Sequence, residues 1–195
     1  MTIMPRDYDL QNNLPTAHQR RPEYVRDDTW IRAFLRRAQV AHIATLWEQQ
    51  PFVTPTNYYY DEPKHRLIFH SNLAGRLREN IDRHPEVCAE VSETGRYLPS
   101  NVAIEFSVQY RSAIVFGTAH VLEDVLEQRK MLHLLIAKYF ALMELGKDYR
   151  PVTDQELKRT AVYELRIESW SGKENWQEKA DQSDDWPALD KKWSV

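Results

Sequence analysis

Ser71, Asn72 and Arg76 fall within one short run, Phe69-His70-Ser71-Asn72-Leu73-Ala74-Gly75-Arg76-Leu77-Arg78, whose residue types suit a phosphate. An apolar strand passes there through small polar residues into a helix. Leu73, Leu77 and Ile81 recur every four residues and mark one apolar stripe of that helix, Ser71 or Asn72 can cap it, and Pro85 bounds its far end. Unpaired backbone N–H groups and the positive end of the helix dipole then gather at Ser71 to Ala74, and Arg76 adds a guanidinium in the same turn. These donors favour a phosphate ester over a neutral ligand. The competing reading is a capped surface helix that binds nothing, because short motifs recur by chance.

Other residues of chemical interest lie before and after this run. His70 immediately precedes the cradle, and Thr54, Pro55, Thr56 and Asn57 occupy the preceding predicted strand. If the two segments share a cleft, that strand offers backbone donors and acceptors to the edge of a planar ring, and Asn57 offers both kinds of group. The alternative is a polar, solvent-facing strand edge. Gln109-Tyr110-Arg111-Ser112, read as a junction between two strands, can place a second guanidinium and a hydroxyl at a barrel rim, or can be an ordinary turn with an exposed arginine. Trp170-Ser171-Gly172-Lys173-Glu174-Asn175-Trp176 is read as following the last strand. Gly172 permits a tight turn there, and the tryptophans either cover an aromatic ligand or seal the core.

His42, His65, His84, His120 and His133 sit on unrelated predicted elements, with no HExxH or Cys/His cluster, so no metal site is expected. A GxSxG nucleophile elbow is lacking. None of the five glycines forms a GxGxxG or Walker A pattern, which excludes Rossmann and P-loop readings.

The elements that must position these residues are mainly β. A first helix is expected from Asp27-Asp28-Thr29 through Arg37, with Ile31, Phe34 and Leu35 on its apolar face. Strands are expected over 40–46, 52–60, 66–70, 86–91, 102–109, 111–122 and 161–168, with Gly117 marking a bend or bulge. A long helix is read over 123–145, and Thr153 opens a capping box before a shorter one. Short turns between most strands predict a closed antiparallel barrel and not a parallel α/β sheet.

At 195 residues and 42% apolar composition, the chain can bury one full core. Residues 24–176 form the expected domain, with arms over 1–23 and 177–195; Trp186 and Trp193 suggest that part of the second arm docks on the domain or on a partner chain. A net charge of −3 argues against nucleic acid and anionic membrane as partners. One cysteine, Cys88, rules out an internal disulfide, reads as a packing residue and fits a reducing cytoplasm. No signal-peptide pattern opens the chain and no window reaches membrane-span length, so a cytoplasmic protein is expected.

His42-Ile43-Ala44-Thr45, Pro51-Phe52-Val53-Thr54-Pro55-Thr56-Asn57-Tyr58 and Phe69-His70-Ser71 with Gly75-Arg76 follow one another in an order that resembles the pyridoxamine 5′-phosphate oxidase-like flavoprotein superfamily, nearest its nitroimidazole-resistance, or Nim-like, branch. His84-Pro85-Glu86-Val87-Cys88 and Ile114-Val115-Phe116-Gly117-Thr118-Ala119 extend the likeness across roughly residues 30–176. The resemblance implies a split β-barrel homodimer that binds FMN at the subunit interface. It assigns the phosphate to His70, Ser71 and Arg76, the flavin edge to the backbone of Thr54, Pro55, Thr56 and Asn57, and a second phosphate-proximal segment to Tyr110, Arg111 and Ser112. It brings Trp170, Lys173 and Trp176 to the flavin from the other subunit. Relatives often carry a second basic residue directly after the Gly-Arg pair; this chain has Leu77 there, leaving Arg78 or Arg111 to compensate.

A flavin carries the redox chemistry itself, which accounts for a chain without a catalytic constellation of its own. The implied activity is oxidoreduction, from a nicotinamide donor through FMN to a small acceptor, with a nitroaromatic as one candidate. Two alternatives stand beside it: a protein that stores, senses or carries flavin or haem without turnover, with His70, His84 or His120 as conceivable iron ligands, and a dimeric interaction protein whose pocket no longer binds a cofactor.

Overall fold

The computed structural model describes Gln19 and residues 21–193; most of the expected N-terminal arm lies outside the described residues. The strands are β1 (Val25–Arg26), β2 (Val40–Trp47), β3 (Gln50–Asn57), β4 (Tyr59–Asp61), β5 (Arg66–Asn72), β6 (Glu86–Leu98), β7 (Ser107–Val121) and β8 (Thr160–Asn175). Helices α1 (Asp28–Arg37), α2 (Arg76–Arg83), α3 (Val125–Tyr139) and α4 (Asp154–Leu157) lie between them. All strand pairings are antiparallel, in the order β3-β2-β6-β7-β8-β5-β4, with β1 added to β8. The result is the half-barrel of a split-barrel fold, mainly β with a few helices.

Alternation along the strands gives the sheet two covered faces. On one side Leu67, Phe69, Val115, Tyr163 and Leu165 join Phe34 and Leu35 of α1 in the main core. On the other, Ile68 and Val162 meet Met131 and Leu132 of α3 and Leu157 of α4. Asp27 starts α1 by accepting the Trp30 N–H at 2.8 Å, and Thr153 and Glu156 complete the capping box of α4. Gly117 sits at the register shift between β7 and β8, where an added Cβ would collide with the Arg166 carbonyl, so the expected bulge is present.

Several boundaries differ from expectation. Ser71 and Asn72 stay in β5, paired with Ala161 and Thr160, and α2 begins only at Arg76. Gly75 explains the delay: its φ of 149° cannot belong to a helix. Leu73 therefore falls outside the helix and is exposed, while Leu77 and Ile81 are buried. The expected strand over 102–109 is in its first half a 3₁₀ turn, Ala103–Glu105, and β7 then runs without interruption from Ser107. Gln109 to Ser112 thus form no junction: β6 flanks this stretch on one side and β8 flanks its last three residues on the other, and it contains neither glycine nor proline. Likewise β8 continues to Asn175, so Gly172 makes no turn; a Cβ there would lie 2.6 Å from Ile31 Cγ1, and the glycine lets α1 pack on the strand. The strand expected over 52–60 breaks at Tyr58, whose ring is buried and whose hydroxyl donates to the Leu35 carbonyl at 2.8 Å. Helix α3 stops at Tyr139, short of Leu145, and the chain turns through Gly146 at φ 85°.

Beyond β8 the chain folds back on the 98–101 segment. Ser100 Oγ donates to the Asp181 carbonyl at 2.7 Å, Asn101 Nδ2 to the Ser183 carbonyl at 2.8 Å, and Ala180 is buried. Among the described residues no helix is long and apolar enough to cross a membrane.

Candidate functional site

The start of α2 is an uncapped helix end. Its N-cap is Gly75, which has no side chain to offer, and the first intrahelical bond runs from Glu79 N–H to the Gly75 carbonyl at 3.1 Å. The N–H groups of Arg76, Leu77 and Arg78 therefore have no acceptor within the helix. Asn72, the expected cap, instead accepts the Ala74 N–H at 3.1 Å. The donor set thus lies at residues 76–78 and not at 71–74.

Arg76 supplies a free charge at this end. Its exposed guanidinium makes no ion pair among the described residues; its carbon rests 4.1 Å from the centroid of the Trp47 ring, which also takes Arg83 at 4.2 Å. The neighbours add nothing comparable. Leu77 points into the core, and Arg78 is paired with Asp82 at 2.6 Å.

Thr54, Pro55, Thr56 and Asn57 lie on β3, at the edge of the sheet, half-exposed or exposed. Prolines at 51 and 55 suit an edge, where a missing N–H breaks no inner ladder. Asn57 Nδ2 donates to the Gln39 carbonyl at 3.4 Å, and Thr56 Oγ1 to the Asn57 carbonyl at 3.1 Å. β3 and β5 approach each other without pairing, which brings the edge strand near the strand that leads into α2.

His70 and Ser71, adjacent in sequence, point to opposite faces of the sheet. Ser71 follows Leu67 and Phe69 to the main-core side, where its Oγ lies 3.0 Å from the Tyr163 hydroxyl. His70 follows Ile68 toward α3. Both residues nonetheless border one cavity beside β5.

The third group is only partly gathered. In the β7–β8 register Tyr110 faces Asn175, Arg111 faces Glu174 and Ser112 faces Lys173. Tyr110, Ser112 and Lys173 share one face of the sheet, and Arg111 and Trp176 share the other. The Arg111 guanidinium lies 3.7 Å from the Trp176 ring centroid, hydrogen-bonds Glu174 and approaches Glu93 at 3.9 Å. Burial pushes the Glu174 carboxyl up, but the bonds from Arg111 and Arg26 outweigh it and hold the pKa below its ordinary value. Arg111 is thus neutralised within the chain. Trp170 stands apart, its Nε1 donating to Asp28 at 2.8 Å and its ring edge-on to His65 with centroids 4.5 Å apart.

A cavity of about 700 Å³ opens beside β5, bordered by His70, Ser71, Asn72, Glu156, Arg159 and Thr160. It adjoins a second hollow of about 460 Å³ that shares His70, Arg150, Glu156 and Thr160 and is walled by Leu132, Leu135, Ile136, Tyr149 and Val152. Both volumes are in the range of small-molecule sites. The legible hint was the Thr153 capping box, which fixes the short α4 between Arg150 and Arg159; the pairing of Thr160 with Asn72 then sets that helix beside His70.

The sequence model of pyridoxamine 5′-phosphate oxidase matches residues 27–174, from the cap of α1 nearly to the end of β8. The chain belongs to the pyridoxamine 5′-phosphate oxidase family. No curated protein matches it. Among solved structures, the flavocytochrome Anf3 from Azotobacter vinelandii is similar with a TM-score of 0.74 and 24% identity, covering 87% of this chain and 77% of that one. An FAD and haem binding protein from Mycobacterium smegmatis follows at TM-score 0.72 and 21% identity, with 82% and 76% covered. A candidate 5-nitroimidazole antibiotic resistance protein from Bacteroides thetaiotaomicron gives 0.64 and 23%, with 76% and 85% covered. At these identities the likeness is one of fold.

In this member of the pyridoxamine 5′-phosphate oxidase family, the leucine that follows the Gly-Arg pair is a packing residue. Leu77 is buried against the main core, a position that a solvated cation could not take, and Arg76 and the uncapped backbone carry the positive end of α2 alone.

Proposed function

We propose that the chain is an FMN-binding oxidoreductase that passes electrons from a nicotinamide donor to a small acceptor. The observation that carries this reading is the uncapped start of α2 beside the unpaired Arg76, set near the open edge of β3. Three backbone donors and one guanidinium match one phosphate, which favours FMN over a dinucleotide. Ser71 and Arg76 would hold that phosphate, and the backbone of Thr54, Pro55, Thr56 and Asn57 would meet the polar edge of the ring. Flavin and FAD binding named for the fold neighbours support the cofactor class, and the candidate nitroimidazole resistance protein suggests a nitroaromatic acceptor. When bound, the flavin supplies hydride acceptance from the nicotinamide and electron transfer to the acceptor.

The chain's own task is to bind and orient. Exposed Phe52 and Val53 on β3, whose outer edge is open, favour a homodimer, in which Tyr110, Ser112 and Lys173 of a second copy can complete the ring pocket. A cytoplasmic location is part of the same proposal, on the strength of the single cysteine.

A stopped-flow experiment with the flavin-loaded protein tests the reading: NADH or NADPH should bleach the flavin absorbance under anaerobic conditions, and a small nitroaromatic should restore it. Bound flavin that neither nicotinamide bleaches contradicts turnover. It would favour the second reading, a protein that holds flavin or haem without chemistry, which the hollow around His70 also supports.

A further inference from the structure

A cleft of about 670 Å³ lies between the end of β6 with the turn that follows it, residues 96–101, and the tail beyond β8. None of its lining residues belongs to the α2 start, to β3 or to the cavity beside β5. Polar groups fasten its two walls. At the root, the buried Gln109 accepts the Arg96 N–H at 3.1 Å and donates to the Gln177 carbonyl at 2.8 Å, which ties the strand wall to the tail wall. Farther along, Ser100 Oγ donates to the Asp181 carbonyl at 2.7 Å and Gln182 Nε2 to the Pro99 carbonyl at 3.1 Å. The Asn101 amide donates to the carbonyls of Ser183 and Trp186 at 2.8 and 3.2 Å, so it holds the backbone that carries one of the tryptophans.

This fastening leaves the aromatic side chains uncovered. Tyr97 is 83% exposed, Trp186 66% and Trp193 55%, and all three line the cleft with Leu98 and Leu189. Had the tail docked by apolar burial, the tryptophans would be the first side chains covered. They line instead a concavity whose volume is in the range of small-molecule sites. The charges around it balance, with Arg96 and Lys179 against Glu178 and Asp184, so no net field selects an anion or a cation. Two indoles and a phenol in a cleft without net charge describe a ligand that is itself an uncharged ring system, held by offset stacking and edge contacts.

We propose that this cleft is a binding site for a small, uncharged, planar aromatic molecule, with Trp186 as its main stacking partner. The site stands apart from the flavin reading and does not rest on it. Nitroaromatics, the acceptor class suggested above, are among the molecules it admits.

Calorimetric titration of the full-length protein with indole tests it, with the anionic indoleacetate and FMN titrated in parallel. The parent should bind indole saturably, one molecule per chain, and indoleacetate several-fold more weakly. Trp186→Ala should weaken indole binding about ten-fold, and Trp186→Phe should recover most of that loss because a phenyl ring still stacks. Trp186 is largely exposed, so the alanine variant should keep the parent's circular dichroism and FMN affinity. A parent that takes up no indole overturns the proposal, as does a Trp186→Ala protein with the parent's indole affinity. Equal or tighter binding of indoleacetate overturns the assignment of an uncharged ligand, and FMN affinity that falls together with indole affinity overturns the separateness of the site. If a second copy covers the cleft instead, the parent will bind no indole and Trp186→Ala will change its sedimentation, which also overturns the small-molecule site. Failure of the parent to bind FMN, with indole binding intact, overturns the flavin reading alone.

Discussion

Arg76 works through what surrounds it. A guanidinium stacked on Trp47, with no carboxylate partner among the described residues, keeps its full charge for an anion, while the N–H groups of residues 76–78 supply directed donors. Arg76→Ala removes the charge and leaves the backbone donors in place. Loss of a charge-assisted hydrogen bond is worth about 1.5–3 kcal/mol, so FMN affinity should fall about ten- to hundred-fold. Lys173→Ala, on the far strand, should change it by less. Flavin fluorescence titration reads both; equal affinity of the Arg76 variant and the parent contradicts the phosphate assignment. Arg76 was legible in the sequence because a Gly-Arg pair before an apolar stripe signals a helix start. The opposite facing of His70 and Ser71 was not, since adjacent side chains part only where the chain is still a strand, and the residue types at 71 and 72 suit a helix cap equally well.

At the scale of elements, β5 is fixed by an ion cluster. Arg66, 3% exposed, bonds Asp61 at 2.8 Å, Glu127 at 2.6 Å and Glu164 at 2.5 Å, tying β5 to β4, α3 and β8. Burial raises the Glu164 pKa, but the bonds from Arg66 and Arg166 outweigh it; for Glu127 the bonds from Lys64 and Arg66 lower it directly. Both carboxyls therefore ionise more readily in the folded state than in the unfolded chain. Their contribution is present above the ordinary value of 4.5 and is lost as the pH falls through the depressed folded values. Denaturant unfolding across pH 3–6 should show that loss, and Glu164→Gln should flatten the slope. A variant with the parent's slope would remove Glu164 from the account.

Element types were largely readable, because alternation and capping are local: α1, the β2–β3 hairpin, the Gly117 bulge and the α4 capping box all stand where expected. Strand ends were not, because they depend on partners. β7 and β8 run on past their expected limits because each is flanked by other strands, and Gly172 reads as a turn until Ile31 of α1 is seen against it.

For the molecule as a whole, one antiparallel half-barrel carries two kinds of chemistry that meet at the end of β5. The α2 start and the β3 edge offer donors to a phosphate and a planar ring; the hollow under α3 offers an imidazole and apolar walls. Antiparallel pairing was legible from short turns between strands, but the closed barrel they predicted is an open half-barrel with free edges at β3 and β4, and the hollow depended on long-range placement of α3 and α4. The docking of residues 180–183 on the 98–101 segment was likewise a matter of three-dimensional proximity, with Trp186 and Trp193 its only marks in the sequence. The central claim is that this chain carries flavin, and the identity of the cofactor after gentle purification tests it most directly. A yellow protein that releases FMN on denaturation, identified by absorption and mass, is the predicted result. A colourless protein that leaves the fluorescence of added FMN unquenched would contradict it.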